Sequence, residues 1–83
     1  MRTLVATVMN NNKGNEIYCW NRKVNSKDSQ LLRSSNRSSL EEAGFTFIRL
    51  VSLEYPNVAG YAIFYEGHLD EMSRDLKALE NGP

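Results

Sequence analysis

The chain has 83 residues, of which 41% are hydrophobic and 24% are charged. This length predicts one domain near the lower limit for independent folding, and the hydrophobic fraction is too high for a disordered chain. Ten basic and ten acidic side chains balance each other. This balance argues against a general nucleic-acid binder, because such proteins carry a basic excess.

The chain contains a single cysteine, Cys19, and a single histidine, His68. A single cysteine excludes an intramolecular disulfide, and one cysteine with one histidine cannot supply the four ligands of a structural zinc site. No apolar stretch is long enough for a signal peptide or a membrane span. We therefore expect a cytoplasmic protein with no cofactor, no metal and no membrane partner.

The first predicted elements are two strands, at 2–9 and 16–22, separated by a turn rich in Asn and containing a glycine. Both segments are rich in β-branched, aromatic and apolar residues, and the turn residues tolerate a positive φ. The pair therefore predicts a β-hairpin. Cys19 lies inside the second strand, where we expect a buried thiol, since free cysteine commonly behaves as a small core residue.

A polar and basic segment, 23–37, follows the hairpin and predicts a long loop, or a short helical turn, held by its two leucines. Next, Ser38 and Ser39 each precede a glutamate by three residues, which is the spacing of a capping box. Gly44 is a suitable C-terminal stop for a helix. The sequence thus predicts a short helix before the third strand.

The C-terminal half predicts two strands, 45–53 and 58–66, joined by a turn at 55–57, and then a helix over 69–80. The helix has an apolar stripe at spacings of three and four residues: Leu69, Met72, Leu76 and Leu79. The predicted fold class is α+β. A four-stranded, mainly antiparallel sheet of two β-hairpins has a short helix before strand 3 and an amphipathic C-terminal helix packed on one face.

Both faces of the two C-terminal strands carry apolar side chains. In the third strand, Phe45 and Phe47 alternate with Ile48 and Leu50, and successive strand residues point to opposite faces. A half-exposed antiparallel strand would show a cleaner alternation of apolar and polar residues. One helix covers one face, so we expect the second face to be covered by residues 23–44 or by another molecule.

The sequence contains no recognised catalytic string or phosphate-binding loop. We therefore predict a non-enzymatic protein-interaction module that binds a partner protein or forms a homodimer, and we infer no small-molecule substrate. Residues 1–44 carry a net charge of +3 and residues 45–83 a net charge of −3, and surfaces of both signs help to orient association. Domains of this size and type are common among phage and mobile-element accessory proteins.

The alternative function is single-stranded nucleic-acid binding. Tyr18 and Trp20 share one face of the second strand, and the basic segment 22–37 follows them. Aromatic side chains on a sheet with nearby cations can stack bases and bind phosphates. The competing interpretation makes both aromatics core residues. For either function, the residues expected to contact the partner are aromatic or basic: Tyr18, Trp20, Arg22, Arg33, Arg37, Tyr61 and Tyr65.

Overall fold

A computed structural model describes residues 1–11, 13–51 and 59–81, with only the backbone described at Val51. The elements in chain order are β1 (Arg2–Asn10), β2 (Glu16–Trp20), α1 (Ser26–Ser34), α2 (Arg37–Glu42), β3 (Phe45–Val51), β4 (Ala59–Glu66) and α3 (Leu69–Asn81). The four strands form one antiparallel sheet in the order β2-β1-β4-β3. This arrangement confirms the predicted α+β fold. The predicted turn at 55–57 and the predicted strand ends at 52–53 and 58 lie outside the described residues.

The first hairpin forms as predicted, with Val8 opposite Tyr18 in the β1–β2 register. Its turn is held by Asn11, whose side-chain oxygen accepts hydrogen bonds from the backbone N–H groups of Lys13 and Asn15, both at 2.9 Å. Gly14 adopts a φ of +82° in this turn, a conformation that glycine takes without steric cost. Strand β2 ends at Trp20, two residues earlier than predicted.

The two central strands, β1 and β4, pair along nearly their whole length, from Arg2 opposite Glu66 to Met9 opposite Gly60. A bulge interrupts the register between Leu4 and Ala6. The extra residue of the bulge, Val5, is fully buried. A bulge bends its strand and re-aims its side chains, and here it adds one apolar residue to the core.

Of the two alternatives for 23–37, the long loop is wrong for the central part, which is helix α1, and the short helical turn is closer to the structure. Asn25 caps this helix by accepting a hydrogen bond from the N–H of Asp28 at 2.8 Å. The predicted helix before strand 3 is confirmed as α2, but its cap is not a serine. The side chain of Asn36 accepts from the N–H of Ser39 at 2.8 Å, and Gly44 follows the helix with a φ of +109°.

The core lies between the sheet and all three helices. Leu32 of α1 and Leu40 of α2 belong to the same buried cluster as Met72 and Leu76 of α3. The sheet contributes Val5, Ala6, Val8, Phe45, Ile63 and Tyr65. The predicted stripe of α3 is therefore confirmed as its core face. The helices of segment 23–44 lie on the same side of the sheet as α3, so the expectation that this segment covers the second face is wrong.

A polar contact joins α1 to α3 within this helical layer. Asp28 is 3% exposed, and its carboxylate accepts a hydrogen bond from the hydroxyl of Ser73. A buried carboxylate is stable only when hydrogen bonds replace its lost hydration. This pair therefore fixes how the two helices pack. None of the three helices described is long and apolar enough to cross a membrane.

Candidate functional site

One face of the sheet is turned away from all three helices. Directly opposed residues of antiparallel strands lie on the same face, so the cross-strand register identifies its members. Among the described residues these are Arg2, Leu4, Thr7, Met9, Ile17, Cys19, Thr46, Ile48, Leu50, Gly60, Ala62, Phe64 and Glu66. We call this surface the open face.

Large apolar side chains of the open face are exposed. Leu4 is 43% exposed, Ile17 55%, Ile48 36% and Leu50 38%. These four come from three different strands, and the register places Leu50, Gly60, Met9 and Ile17 in one row across the sheet. Single exposed apolar residues are ordinary, whereas a contiguous apolar patch marks an interaction surface. The sequence-based expectation of excess apolar surface on the second face is confirmed.

The open face carries little charge. Its charged residues within the described ranges are Arg2 and Glu66, which lie opposite each other at one end of the sheet. The N-terminal ammonium group also lies 3.1 Å from the Glu66 carboxylate, and the Arg2 guanidinium lies 5.0 Å from the ring centroid of Phe64. Cys19 is exposed on this face, so the expectation of a buried thiol is wrong. The reason is that β2 turns Tyr18 and Trp20, and not Cys19, toward the helices.

A cleft with a volume of about 380 Å³ lies on the opposite side, between the sheet and helices α1 and α2. We call it the arginine cleft. Its sheet wall includes Glu16, Tyr18, Phe47, Tyr61 and Ile63, and its helix wall includes Leu32, Arg33, Ser35, Arg37 and Leu40. A second cavity of about 300 Å³ shares Arg37, Phe47 and Tyr61 with it and adds Arg49. The two cavities are therefore neighbours.

Aromatic rings hold the two arginines of the helix wall. The guanidinium carbon of Arg33 lies 5.1 Å from the ring centroid of Tyr18, and that of Arg37 lies 4.7 Å from the centroid of Phe47. A cation within about 6 Å of a ring centroid is attracted by the ring's quadrupole. Arg37 also lies 3.8 Å from the Glu41 carboxylate, with both side chains exposed, and such surface pairs contribute little energy.

One carboxylate, that of Glu16, lies in the sheet wall of the cleft. It accepts hydrogen bonds from the hydroxyls of Tyr61 at 2.8 Å and Tyr18 at 3.3 Å. Burial, and then the hydrogen bond to Glu16, raise the pKa of Tyr61 well above its ordinary value. The Tyr61 hydroxyl is the donor in this hydrogen bond. The carboxylate keeps lone pairs available for a further donor.

The residues predicted for partner binding divide between different places. Tyr18, Arg33, Arg37 and Tyr61 come together in the arginine cleft. Trp20 stacks beside Tyr18, with ring centroids 5.0 Å apart and an angle of 9° between the planes. Both aromatics also pack against the core, so few ring faces are available for stacking bases.

Besides Trp20, two predicted contact residues lie outside the cleft. Tyr65 is 3% exposed, and its hydroxyl donates to the Asp75 carboxylate, so its side chain lies in the core of the single chain. Arg22 is exposed in the turn that follows β2. Selecting contact residues by aromatic or basic type therefore missed the apolar open face, although the apolar residues on both faces of β3 and β4 indicated it.

The structure does not bring Cys19 and His68 together. Cys19 lies on the open face, whereas His68 lines a separate pocket with Thr3 and Asn21. Within residues 1–11, 13–51 and 59–81, no three His, Cys, Asp or Glu side chains could hold a metal ion. The chain matches no protein-family model, no curated protein and no solved structure at a significant level.

Proposed function

We propose that this domain is a non-enzymatic protein-interaction module that pairs with a second copy of itself through the open face. The observation that supports the proposal is the exposure of Leu4, Ile17, Ile48 and Leu50 on one side of the sheet, opposite the helical layer. A sheet in a small α+β domain that leaves this much apolar surface in water gains stability from a cover.

The free energy available from such a cover is substantial for a chain of this size. Complete burial of one large aliphatic side chain contributes about 1.5–3 kcal/mol. The side chains of the patch are already partly buried, so each contributes a fraction of that amount. A small domain has only a few kcal/mol of stability from its own core. Burial of the patch on pairing is therefore comparable with the stability of the fold itself.

The charge of the open face favours a second copy as the occupant. At one end of the face the N-terminal ammonium pairs with Glu66 and Arg2 lies over the ring of Phe64, and the rest of the described face is uncharged. The uncharged parts of two such faces meet without like-charge repulsion, and the apolar surface of each matches the other. Two sheets stacked face to face lie about 10 Å apart. The resulting dimer has two sheets at its centre and the helices of each copy outside.

Sedimentation equilibrium of the purified chain at micromolar concentrations tests the proposal. The expected result is a mass twice that of the 9.5 kDa chain, with dissociation on dilution. In Ile17→Lys and Ile48→Lys, a charge on the patch should shift the equilibrium to the monomer, because burying an unpaired ammonium group is costly. Both positions are exposed in the single chain, so the variants are expected to fold.

Ala78→Lys is the matched control. Ala78 is exposed on α3, on the helical side of the sheet, and this change places the same charge away from the patch. The control should sediment as the wild type does. A wild-type protein that stays monomeric at high concentration overturns self-association. If Ala78→Lys disrupts the dimer and Ile17→Lys and Ile48→Lys do not, the interface lies on the helical side and not on the open face.

Two further expectations from the sequence stay predictions: the function as an accessory protein of a phage or mobile element, and the binding of single-stranded nucleic acid. The second is supported by the arginines near Tyr18, but the ring of Tyr18 is already engaged by Trp20 and Arg33.

A further inference from the structure

We propose that the arginine cleft binds a small phosphate ester of the nucleotide class. In this arrangement the phosphate lies between Arg33 and Arg37 on the helix wall, and the N–H groups of the base face Glu16 on the sheet wall. The site lies on the opposite side of the sheet from the open face, so its existence does not depend on dimer formation.

The two arginines supply the phosphate site. Their guanidinium groups are planar, permanently charged and able to donate two parallel hydrogen bonds to a phosphate. The contacts with Tyr18 and Phe47 place both groups at the same cleft. No described carboxylate lies within 4.0 Å of Arg33, and the exposed contact of Arg37 with Glu41 is weak. Most of this positive charge is therefore available to an anion.

The sheet wall suits the other end of such a ligand. Phe47 is the apolar lining residue of the cleft that is not buried, and the exposed part of its ring can lie against a base. The Glu16 carboxylate would repel a phosphate but would accept N–H groups, as carboxylates do from cytosine N4 in nucleic-acid recognition. The helix wall thus favours the phosphate group of a nucleotide, and the sheet wall favours its base. The volume of about 380 Å³ falls within the range of about 300–1,000 Å³ for small-molecule sites.

A mononucleotide fits these features better than a nucleic-acid strand does. A strand binder tracks many phosphates with a basic groove and stacks successive bases on free aromatic faces. Here the whole chain has no net charge, a carboxylate lies in the cleft, and the ring of Tyr18 is engaged by both Trp20 and Arg33. These properties disfavour a long strand with many phosphates.

Titration by NMR and calorimetry tests the proposal. The probes are AMP, GMP, CMP and UMP, with ribose 5-phosphate and inorganic phosphate as ligands that lack a base, and an oligothymidine as a strand. For at least one mononucleotide we expect saturable binding with a Kd of about 0.1–1 mM. Saturation should shift the side-chain Nε–H signals of Arg33 and Arg37, and ribose 5-phosphate should bind more weakly.

Matched variants distinguish a specific binding site from general attraction of the ligand to positive charge. The double variant R33A/R37A should lose at least about tenfold in affinity, which corresponds to about 1.4 kcal/mol. Arg74→Ala removes an exposed arginine from α3, outside the cleft, and should bind as the wild type does. Glu16→Gln should lower the ratio of nucleotide affinity to inorganic-phosphate affinity, because it replaces a carboxylate acceptor with an amide. Circular dichroism spectra confirm that each variant is folded.

Three results would overturn the proposal. The first is the absence of saturable binding of every mononucleotide at about 10 mM, a hundredfold above the tighter expected Kd. The second is an equal loss of affinity in Arg74→Ala and in the double variant. The third is tight binding of oligothymidine, far tighter than that of any mononucleotide and steeply dependent on salt. That result would indicate a strand-binding groove.

Discussion

Met9 lies across Gly60 on the open face, where the two residues are opposite each other in the β1–β4 register. A Cβ atom on residue 60 would lie 2.5 Å from the Sδ atom of Met9 and 2.6 Å from the carbonyl oxygen of Val8. The absence of a side chain at Gly60 therefore lets Met9 lie flat on the sheet. Thr7 and Ala62, both small, lie in the next row of the same face. The centre of the face is low enough for a second sheet to approach.

Gly60→Ala should destabilise the fold by about 1–3 kcal/mol, the usual cost of overpacking. Chemical denaturation at a fixed protein concentration measures the free energy of unfolding. In a Met9→Ala background the same change should cost less, because only the Val8 carbonyl then remains in the way. A loss within about 0.5 kcal/mol, typical of ordinary surface changes, would contradict the packing described here.

Ser73→Ala should lower the free energy of unfolding by about 1–3 kcal/mol, because it leaves the buried Asp28 carboxylate without its hydroxyl donor. Ser38→Ala is the control, since Ser38 is exposed on α2, and its effect should stay within about 0.5 kcal/mol. Thermal or chemical unfolding measures both. Equal small effects at the two positions would show that the Asp28–Ser73 bond does not hold α1 to α3.

Stability should fall at alkaline pH, in part because of Tyr65. Burial, and then the hydrogen bond to Asp75, raise the pKa of Tyr65 from 10.0 to about 12. Between these two values the unfolded state has released the proton and the folded state retains it, so stability decreases as pH rises. The contribution is complete below pH 10.0 and is lost as pH passes through about 12.

Tyr65→Phe should therefore show a shallower loss of stability over this range than the wild type shows. Denaturation midpoints at a series of pH values give the two slopes, and the comparison of slopes is independent of any constant effect of the substitution. The ultraviolet absorbance of ionised tyrosine should also show one fewer late-titrating group in the variant. Parallel slopes in the two proteins would contradict the assignment to Tyr65.

Reaction of Cys19 with a thiol reagent should slow as the protein concentration rises. Cys19 is exposed on the open face of the single chain, and the proposed dimer would cover it. In Ile48→Lys the rate should be fast at every concentration, and unfolded wild-type protein in urea should show no dependence on concentration. A wild-type rate that is the same in dilute and concentrated samples would place Cys19 outside any interface.

Residue patterns were sufficient to predict the fold class and most of its elements. The four strands follow from runs of β-branched, aromatic and apolar residues, and α3 follows from an apolar stripe with the period of a helix. Helix α1 could not be predicted in the same way, because the segment is polar and only Leu32 of it is a buried hydrophobic residue. Its stability comes from the burial of Leu32 in the core, from the Asn25 cap and from the Asp28–Ser73 contact, which joins residues 45 positions apart.

The candidate sites depend more strongly on tertiary structure. Apolar residues on both faces of β3 and β4 predicted a second apolar face. No feature of the sequence indicated on which side of the sheet α1 and α2 would pack. The arginine cleft requires the order β2-β1-β4-β3, which brings Glu16 of β2 within hydrogen-bonding distance of Tyr61 of β4. Strand order is decided by long-range pairing, so Tyr18 and Tyr61 could be selected by type but not placed together.

Isotope-filtered NMR on a mixture of ¹³C-labelled and unlabelled chains tests the open-face dimer most directly, since it detects only contacts between copies. A dimer formed through the open face predicts intermolecular NOEs among the methyl groups of Leu4, Ile17, Ile48 and Leu50, and their loss in Ile48→Lys. Intermolecular NOEs confined to residues of the helical side, or none at a concentration where the protein sediments as a dimer, would contradict it.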